Sequence, residues 1–322
     1  MLNNTFIKFD FFKNYIYYIT MEILDSIDTK EMVQSFKELE NDSEICAVIL
    51  NVNNKSFGSD VNPYGLRLFG KTMTEWVAGA VYDAQIKYAS CDFNDDVLPI
   101  VKNTTSQSSK YTVVLFSDTP LFQRKSFLQI MEYFKMKQLS VLKLTRGYIF
   151  ETKYLMQIES LLSPQTEYFE EEDFITCLNF KQTAMVAEIL KNRILNFFMK
   201  KGVFIEDPAS TFIDADCRIE AGTVIKPFNQ ITNQSIIEKN VVLESHCKID
   251  GSVILQNAIL QGCVVKNSLI GQNANVGCNC VISNNSKIDD NVVLPPFVCV
   301  DNVVISKDTL TKSFYTYKAE DK

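Results

Sequence analysis

From residue 213 onward the apolar positions recur every six residues. Ile213, Ile219, Ile225, Ile231, Ile237, Leu243 and Ile249 follow at that spacing, and all are aliphatic. After a more closely spaced stretch the count resumes at Ile270, Val276, Ile282, Ile288, Leu294 and Val300. The position four after each is small or β-branched: Cys217, Thr223, Asn229, Ser235, Val241, Cys247 and Val253, then Ala274, Cys280, Ser286, Val292 and Val298. Gly, Asn or Asp often stands between, where tight corners need them. A period of six is that of a left-handed parallel β-helix. Three hexads make one triangular coil, the aliphatic residue fills the prism, and the small one packs beside it near the corner. The repeat predicts a β-helix over 203–305 with between five and six coils. A tail, 306–322, is left to pack on the last coil or fray.

The front half alternates instead. "CAVILNV" reads as a buried strand, "MTEWVAGAVYDAQIKYA" has helical spacing, "YTVVLF" is a strand, "FLQIMEYFKMK" a helix and "LSVLKL" a strand. This βαβαβ order predicts a parallel, Rossmann-type sheet over 46–178. A long helix then ends at Gly202 and links the two parts over 179–202. Ahead of the sheet, 1–45 forms an extension in which "MEILDSIDTKEMVQSFKELE" reads as a helix. It starts at Met21, a second candidate for the natural start. Asp118 follows "YTVVLF" directly, at the strand end where open α/β sheets bind ligands, and is a candidate metal ligand.

Composition narrows the choices. A net charge of -7 over 322 residues argues against a nucleic-acid partner, which needs clustered Lys and Arg. Nine cysteines include no C-x-x-C pair. Cys278 and Cys280 are the nearest, and a lone pair does not easily make a tetrahedral site. Reduced, packed thiols in a cytoplasmic setting follow, with Cys217, Cys247, Cys263 and Cys280 as core filler of the β-helix. No apolar run reaches a membrane span, so no membrane partner is expected. The aromatic start "MLNNTFIKFDFFKNYIYYIT" is broken by Asp10 and Lys13 and makes a poor signal peptide; an interfacial anchor is its rival reading. The single histidine, His246, falls at a corner. It is either a surface side chain or the base of an acyl transfer.

Together these parts resemble one family, the bacterial enzymes that join an N-acetylglucosamine-1-phosphate uridyltransferase to a glucosamine-1-phosphate acetyltransferase. The junction "AMVAEILKNRILNFFMKKGVFIEDPASTFIDADCRIEAGTVIKP" looks like the family's "NGVTIIDPATTYIDADVEIG" approach to its β-helix. "FGKTMTEWV" resembles "GKPMVEHV", and "LFSDTPLF" resembles "GDVPLI". The resemblance covers roughly 46–305. It implies UDP-N-acetylglucosamine pyrophosphorylase chemistry with magnesium, a nucleotide and a sugar phosphate as ligands, and a homotrimer built on the β-helix.

The departures fall on the chemistry. The family's strand leads into A-V-I-L-A-A-G-x-G-T-R-M and then a Pro-Lys pair. Here the loop reads "NVNNKSFGSDVN": Asn53 and Lys55 stand for the glycines, Phe57 for the arginine and Tyr64 for the lysine. Glycine amides that reach phosphate oxygens and cations that offset phosphoryl charge are thereby lost. Asn53, Lys55 and Lys71 remain as candidates for residual nucleotide contacts, with Asp118 for magnesium. The segment from Trp76 to Ser117 is too short for the family's usual strand and uracil-reading motif. "TRGYIF" looks like "NTGIYVF", which puts Thr145 where the second magnesium ligand belongs. The β-helix has about half the family's coils, so the acetyltransferase site is expected to be absent.

These readings imply an impaired relative that serves as a scaffold, binding or regulatory module. An active nucleotidyltransferase with a rebuilt loop and a hexapeptide-class acyltransferase are the alternatives. In the first case Asp118 would persist by accepting N–H bonds from the turn that opens the following helix.

Overall fold

The computed structural model describes residues 44–53, 55–57, 62–93, 96–161, 171–307, 309 and 311–318. The expectations for the first 43 residues, the helix from Met21 and the interfacial anchor among them, lie outside these.

The front part is a five-stranded sheet in the order β4-β1-β5-β7-β6. Its strands are β1 (Ile45–Val52), β4 (Lys87–Phe93), β5 (Tyr111–Phe116), β6 (Val141–Leu144) and β7 (Gly147–Glu151); β2 (Arg67–Leu68) and β3 (Lys71–Thr72) form a separate hairpin. β1 lies inside the sheet, between β4 and β5, and both of its faces are apolar. Ile45, Ala47 and Ile49 enter one core, with α1 (Met73–Asp83) and α3 (Arg124–Lys137). Val48 and Leu50 enter the other, with α2 (Val97–Thr104) and α4 (Thr152–Gln157). The period of two sorts them.

Two expectations are corrected here. "QIKYA" does not continue α1: the helix ends at Asp83, Gln85 turns with φ 61°, and Lys87–Phe93 is an edge strand parallel to β1. There is thus room for a strand between Trp76 and Ser117. The sheet is also mixed. "LSVLKL" supplies β6, which does not pair with β5; β7 lies between them, antiparallel to both.

The helix α5 (Phe180–Lys200) joins the parts physically. Asn179 caps it, its side chain accepting from the Gln182 amide at 3.0 Å. Its first half packs Val186 and Leu190 against Met73, Leu121 and Cys177. Its second half packs Ile194, Leu195 and Phe198 on the interior of the β-helix. Gly202, at φ 89°, lets the chain turn out of it.

Nineteen short strands between Phe204 and Lys318, β8–β26, form three parallel sheets of six, six and seven strands among the described residues. Each sheet carries one interior column. One runs Ile213, Ile231, Ile249, Val265, Ile282, Val300, with successive members in register. Every one is solvent-free or nearly so. Each such side chain contributes about 1.5–3 kcal/mol of burial. Where the count by sixes fails, single residues have been lost from corners: Ile249 to Ile254, Leu260 to Val265 and Val265 to Ile270 are steps of five, and the ladder register survives.

Val253 is a correction. The slot beside the core belongs to Ser252, which continues a column Ser235–Ser252–Ser268 in which each hydroxyl accepts the next coil's amide at 3.1–3.2 Å. Val253 opens the next strand and packs on the outer face with Ile236 and Leu269. At another corner Asn240, Asn257, Asn273 and Asn291 all have φ between 55° and 61° and bond side chain to side chain. Asparagine suits this place because it tolerates the left-handed region and carries both a donor and an acceptor. The tail adds a further rung: Thr316–Lys318 pairs parallel with Cys299–Asp301, and Phe314 stacks on Phe297 at 4.8 Å.

The β2–β3 hairpin docks the front part on the first coil. Phe69 accepts from the Ala215 amide at 3.0 Å, and Phe69 and Trp76 pack against the interior cluster. A Cβ at Gly70 would stand 2.9 Å from Asp216 Oδ1, so glycine is needed there for space as well as for its φ of 82°.

Candidate functional site

The ends of β1 and β5 are where an α/β sheet of this type would act. Ser117 ties them together: its amide donates to Leu50 O at 2.9 Å and its hydroxyl accepts from the Val52 amide at 3.0 Å. Thr119 then closes a tight turn, its hydroxyl donating to Phe116 O at 2.9 Å. Asp118 is left pointing inward, 4% exposed.

Arg146 meets it there. The guanidinium donates from Nε to Oδ1 at 3.1 Å and from Nη2 to Oδ2 at 2.6 Å, a two-pronged fork. It lies 4.2 Å from the centre of the Phe116 ring, which fixes its plane. The fork uses an oxygen-directed donor for each carboxylate oxygen. The expectation that Asp118 caps the following helix is therefore corrected: the N-cap of α3 is Gln123, which makes no side-chain cap, and the Asp118 carboxylate faces Arg146. The Asp118 carbonyl also accepts from the Cys177 amide at 2.8 Å, which ties the strand end to the segment that leads into α5. Nothing in the sequence paired Asp118 with Arg146, 28 positions away. The one clue was a lone arginine in the turn between two apolar strands.

Asn53 is exposed at the end of β1, and Lys55 opens a short 3-10 turn, Lys55–Phe57. Phe57 is 3% exposed and packs edge-on against Phe180 at 5.1 Å. The loop is thus anchored by an aromatic side chain on the start of α5. Pro63 is buried and Tyr64 half-buried; Asn62 accepts from the Gly65 amide at 3.2 Å. Lys71 is on the hairpin, 5.2 Å from the Trp76 ring. Thr145 precedes Arg146 in the β6–β7 turn. The structure brings Asp118 and Arg146 together, and places Lys71 on a different element, the β2–β3 hairpin.

A second buried carboxylate was missed. Asp173 is 1% exposed and accepts from Gln123 Nε2 and Arg193 Nη2, both at 3.0 Å, and from the Ser126 hydroxyl. Arg193 also donates to Leu121 O at 2.6 Å. This network bolts α5 to the turn after β5 and to the start of α3. Among the described residues no group of three His, Cys, Asp or Glu side chains is arranged to hold a metal ion. A divalent cation at Asp118 would have to displace the guanidinium from both oxygens. The donors present therefore do not fit magnesium.

His246 is exposed at a corner, at φ 67°, with its ring stacked on Phe228 at 4.9 Å. No carboxylate pairs with it among the described residues. Cys217, Cys247, Cys263 and Cys280 all lie in the interior, 6% exposed or less. Burial pushes the Cys177 and Cys217 thiols up to about 12. Cys263 is also held well above the usual thiol range, by its hydrogen bond to Cys247 in the neighbouring coil and by burial. No helix among the described residues is long and apolar enough to cross a membrane.

Fold and strand-end geometry define a class: a Rossmann-type α/β sheet carried on a hexapeptide β-helix. A family model described as the GMPPB C-terminal domain matches residues 209–319. The bifunctional protein GlmU of Clostridium novyi (strain NT) is 34% identical over 128 residues, 40% of this chain and 28% of that protein. GlmU of Staphylococcus epidermidis (strain ATCC 12228 / FDA PCI 1200) is 31% identical over 170 residues, 51% of this chain and 38% of that protein. The matches thus span about a third of the length of these relatives. A solved 4-diphosphocytidyl-2C-methyl-D-erythritol synthase from Anaerococcus prevotii aligns over 46% of this chain and 98% of its own, at 9% identity and a TM-score of 0.35. The chain is similar to GlmU proteins over 40–51% of its length, and its C-terminal part matches the GMPPB C-terminal domain.

Proposed function

We propose that this protein keeps the frame of a sugar nucleotidyltransferase, transfers no nucleotide, and works as a trimeric cytoplasmic scaffold or binding module. The observation that carries the reading is the Arg146 fork on Asp118. A carboxylate whose two oxygens are held by a guanidinium is already neutralised and is not free to recruit a metal-bound phosphate. The Phe57 anchor supports the same conclusion, since an aromatic plug offers neither amides nor charge to a triphosphate. The trimer is supported by apolar side chains facing outward on two sheets of the β-helix: Ile259, Val293 and Phe204 on one, Val264, Val281 and Phe212 on the other. Such faces are buried economically about a closed threefold axis. Nucleotides and sugar phosphates remain the natural ligand class to screen. Calorimetric titration with UTP and magnesium tests the reading. No magnesium-dependent heat is expected; saturable, magnesium-dependent binding that Asp118→Asn abolishes would favour an active transferase with a rebuilt loop. Light scattering should give three chains per particle.

A further inference from the structure

The far end of the β-helix is built unlike the coils before it. Its strands there are β23 (Val293–Leu294), β24 (Cys299–Asp301) and β25 (Val304–Ile305), one in each sheet. In every earlier coil the chain leaves the sheet of β25 for the sheet of β23 and then enters that of β24. After β25 this order breaks. Among the described residues no strand is laid on β23, and the chain returns as β26 (Thr316–Lys318), parallel to β24. The edge of β23 is met by a side chain instead: the Thr311 hydroxyl donates to Val293 O at 3.1 Å. Tyr317 stands opposite Val300, in the column that is aliphatic in each earlier coil, and packs on the interior cluster. Its hydroxyl accepts from the Lys312 amide at 3.1 Å, so the ring covers the prism and its polar end stays at the rim. Leu294, Val300 and Ile305, the interior side chains of this end, are 1% exposed or less.

The strap is lightly held. Phe314 is 80% and Tyr315 53% exposed, and Tyr317 is the half-buried aromatic of the three. Few buried contacts and exposed hydrogen bonds mark a segment that opens locally at low cost. Beneath it lies the edge of β24, whose Cys299 amide donates to Tyr315 O at 3.0 Å. An uncovered edge of this kind accepts a strand from another chain. The opposite end of the β-helix is already occupied: Ile194, Leu195 and Phe198 of α5 pack on the interior there, and Phe69 of the hairpin takes the Ala215 amide. Two copies can thus meet edge to edge through the far end. Related by a two-fold axis, their β24 edges run antiparallel, and the contact closes at a pair.

We propose that residues 311–318 are a guard strap with Tyr317 as its plug, and that the β23 and β24 edges beneath it are a strand-addition site for a second copy of this chain. Displacing the strap joins two particles end to end. Light scattering on the full chain as a function of protein concentration tests this, for the wild type, Tyr317→Asp, Tyr317→Ser and Tyr317→Phe. The wild type should keep one mass. Tyr317→Asp and Tyr317→Ser, which remove the plug with and without a new charge, should double it as concentration rises. Tyr317→Phe keeps the ring and should behave as the wild type. The doubling is relative to the wild-type particle, so it stands whether that particle holds one chain or three. Hydrogen exchange in the same samples should show the amides of the earlier coils unchanged. Constant mass in both plug variants would overturn the proposal. Fast exchange at Cys299 would then show an open edge that takes no strand, and slow exchange a strap that does not depend on Tyr317. Growth beyond a pair would also overturn it, since that needs a second open end.

Discussion

Arg146→Met should destabilise this protein well beyond an ordinary surface substitution. It would leave the Asp118 carboxylate, whose side chain is 6% exposed, without a counter-charge. Stranding one member of a fully buried pair costs about 3–5 kcal/mol. Here the arginine side chain is 32% exposed, so water can partly reach the site, and about 2–4 kcal/mol is the working range. Asp118→Asn should cost less, about 1–2 kcal/mol, because the amide keeps one acceptor and the guanidinium can turn to solvent. The double substitution removes both charges. It should fall short of the sum of the singles by about 1–2 kcal/mol, the coupling of two groups in contact. Urea unfolding followed by fluorescence is the assay. Trp76 is the single tryptophan, and it sits in the front part with its indole N–H donating to Leu68 O at 2.9 Å. A loss within about 0.5 kcal/mol for Arg146→Met, with additive doubles, would refute the idea that the fork is what keeps Asp118 in place.

Burial holds the Asp214 and Glu238 carboxyls above the usual range, with Asp216 and Asp250 adding repulsion at the first and Glu220 at the second. A raised folded-state value stabilises most below the ordinary carboxylate pKa of about 4 and is lost as pH rises through the raised value. Asp214→Asn and Glu238→Gln should therefore raise the melting temperature at pH 7, with the gain vanishing near pH 4 in a thermal scan. Asn257→Ala should destabilise the β-helix by about 1–2 kcal/mol, from two lost inter-coil bonds and a left-handed φ of 61°; Asn257→Gly, which loses only the bonds, should cost less in chemical denaturation. Cys177 and Cys217, with thiols pushed up to about 12, should resist a maleimide at pH 7.5 in the native state, read by mass spectrometry, and react once the chain is unfolded.

The β-helix was legible because its interior admits one aliphatic column per sheet, and that demand repeats along the chain. The count broke only where corners shortened, since a corner can lose a residue while the ladder keeps register. Ser252 was misread for the same reason: one lost residue moved the slot from Val253. The front sheet was harder. β4 lies at an edge, with its side chains half-exposed or exposed along its length, so "KYASCDF" lacks the apolar signal that marked β1 and β5. β7 was invisible as a divider because a tight turn, not a helix, joins it to β6. The strand-end site depended on these pairings. Arg146 reaches Asp118 only because β7 lies beside β5, and no local pattern encodes that neighbour.

The central claim is that the frame persists without the chemistry. Its most direct test is pyrophosphate release from UTP and N-acetylglucosamine-1-phosphate with magnesium, measured for the wild type and for Asp118→Asn. The account predicts release at the buffer rate from both proteins. Turnover near one per second in the wild type, abolished by the substitution, would contradict it and make Asp118 a working ligand that sheds Arg146 when substrate binds.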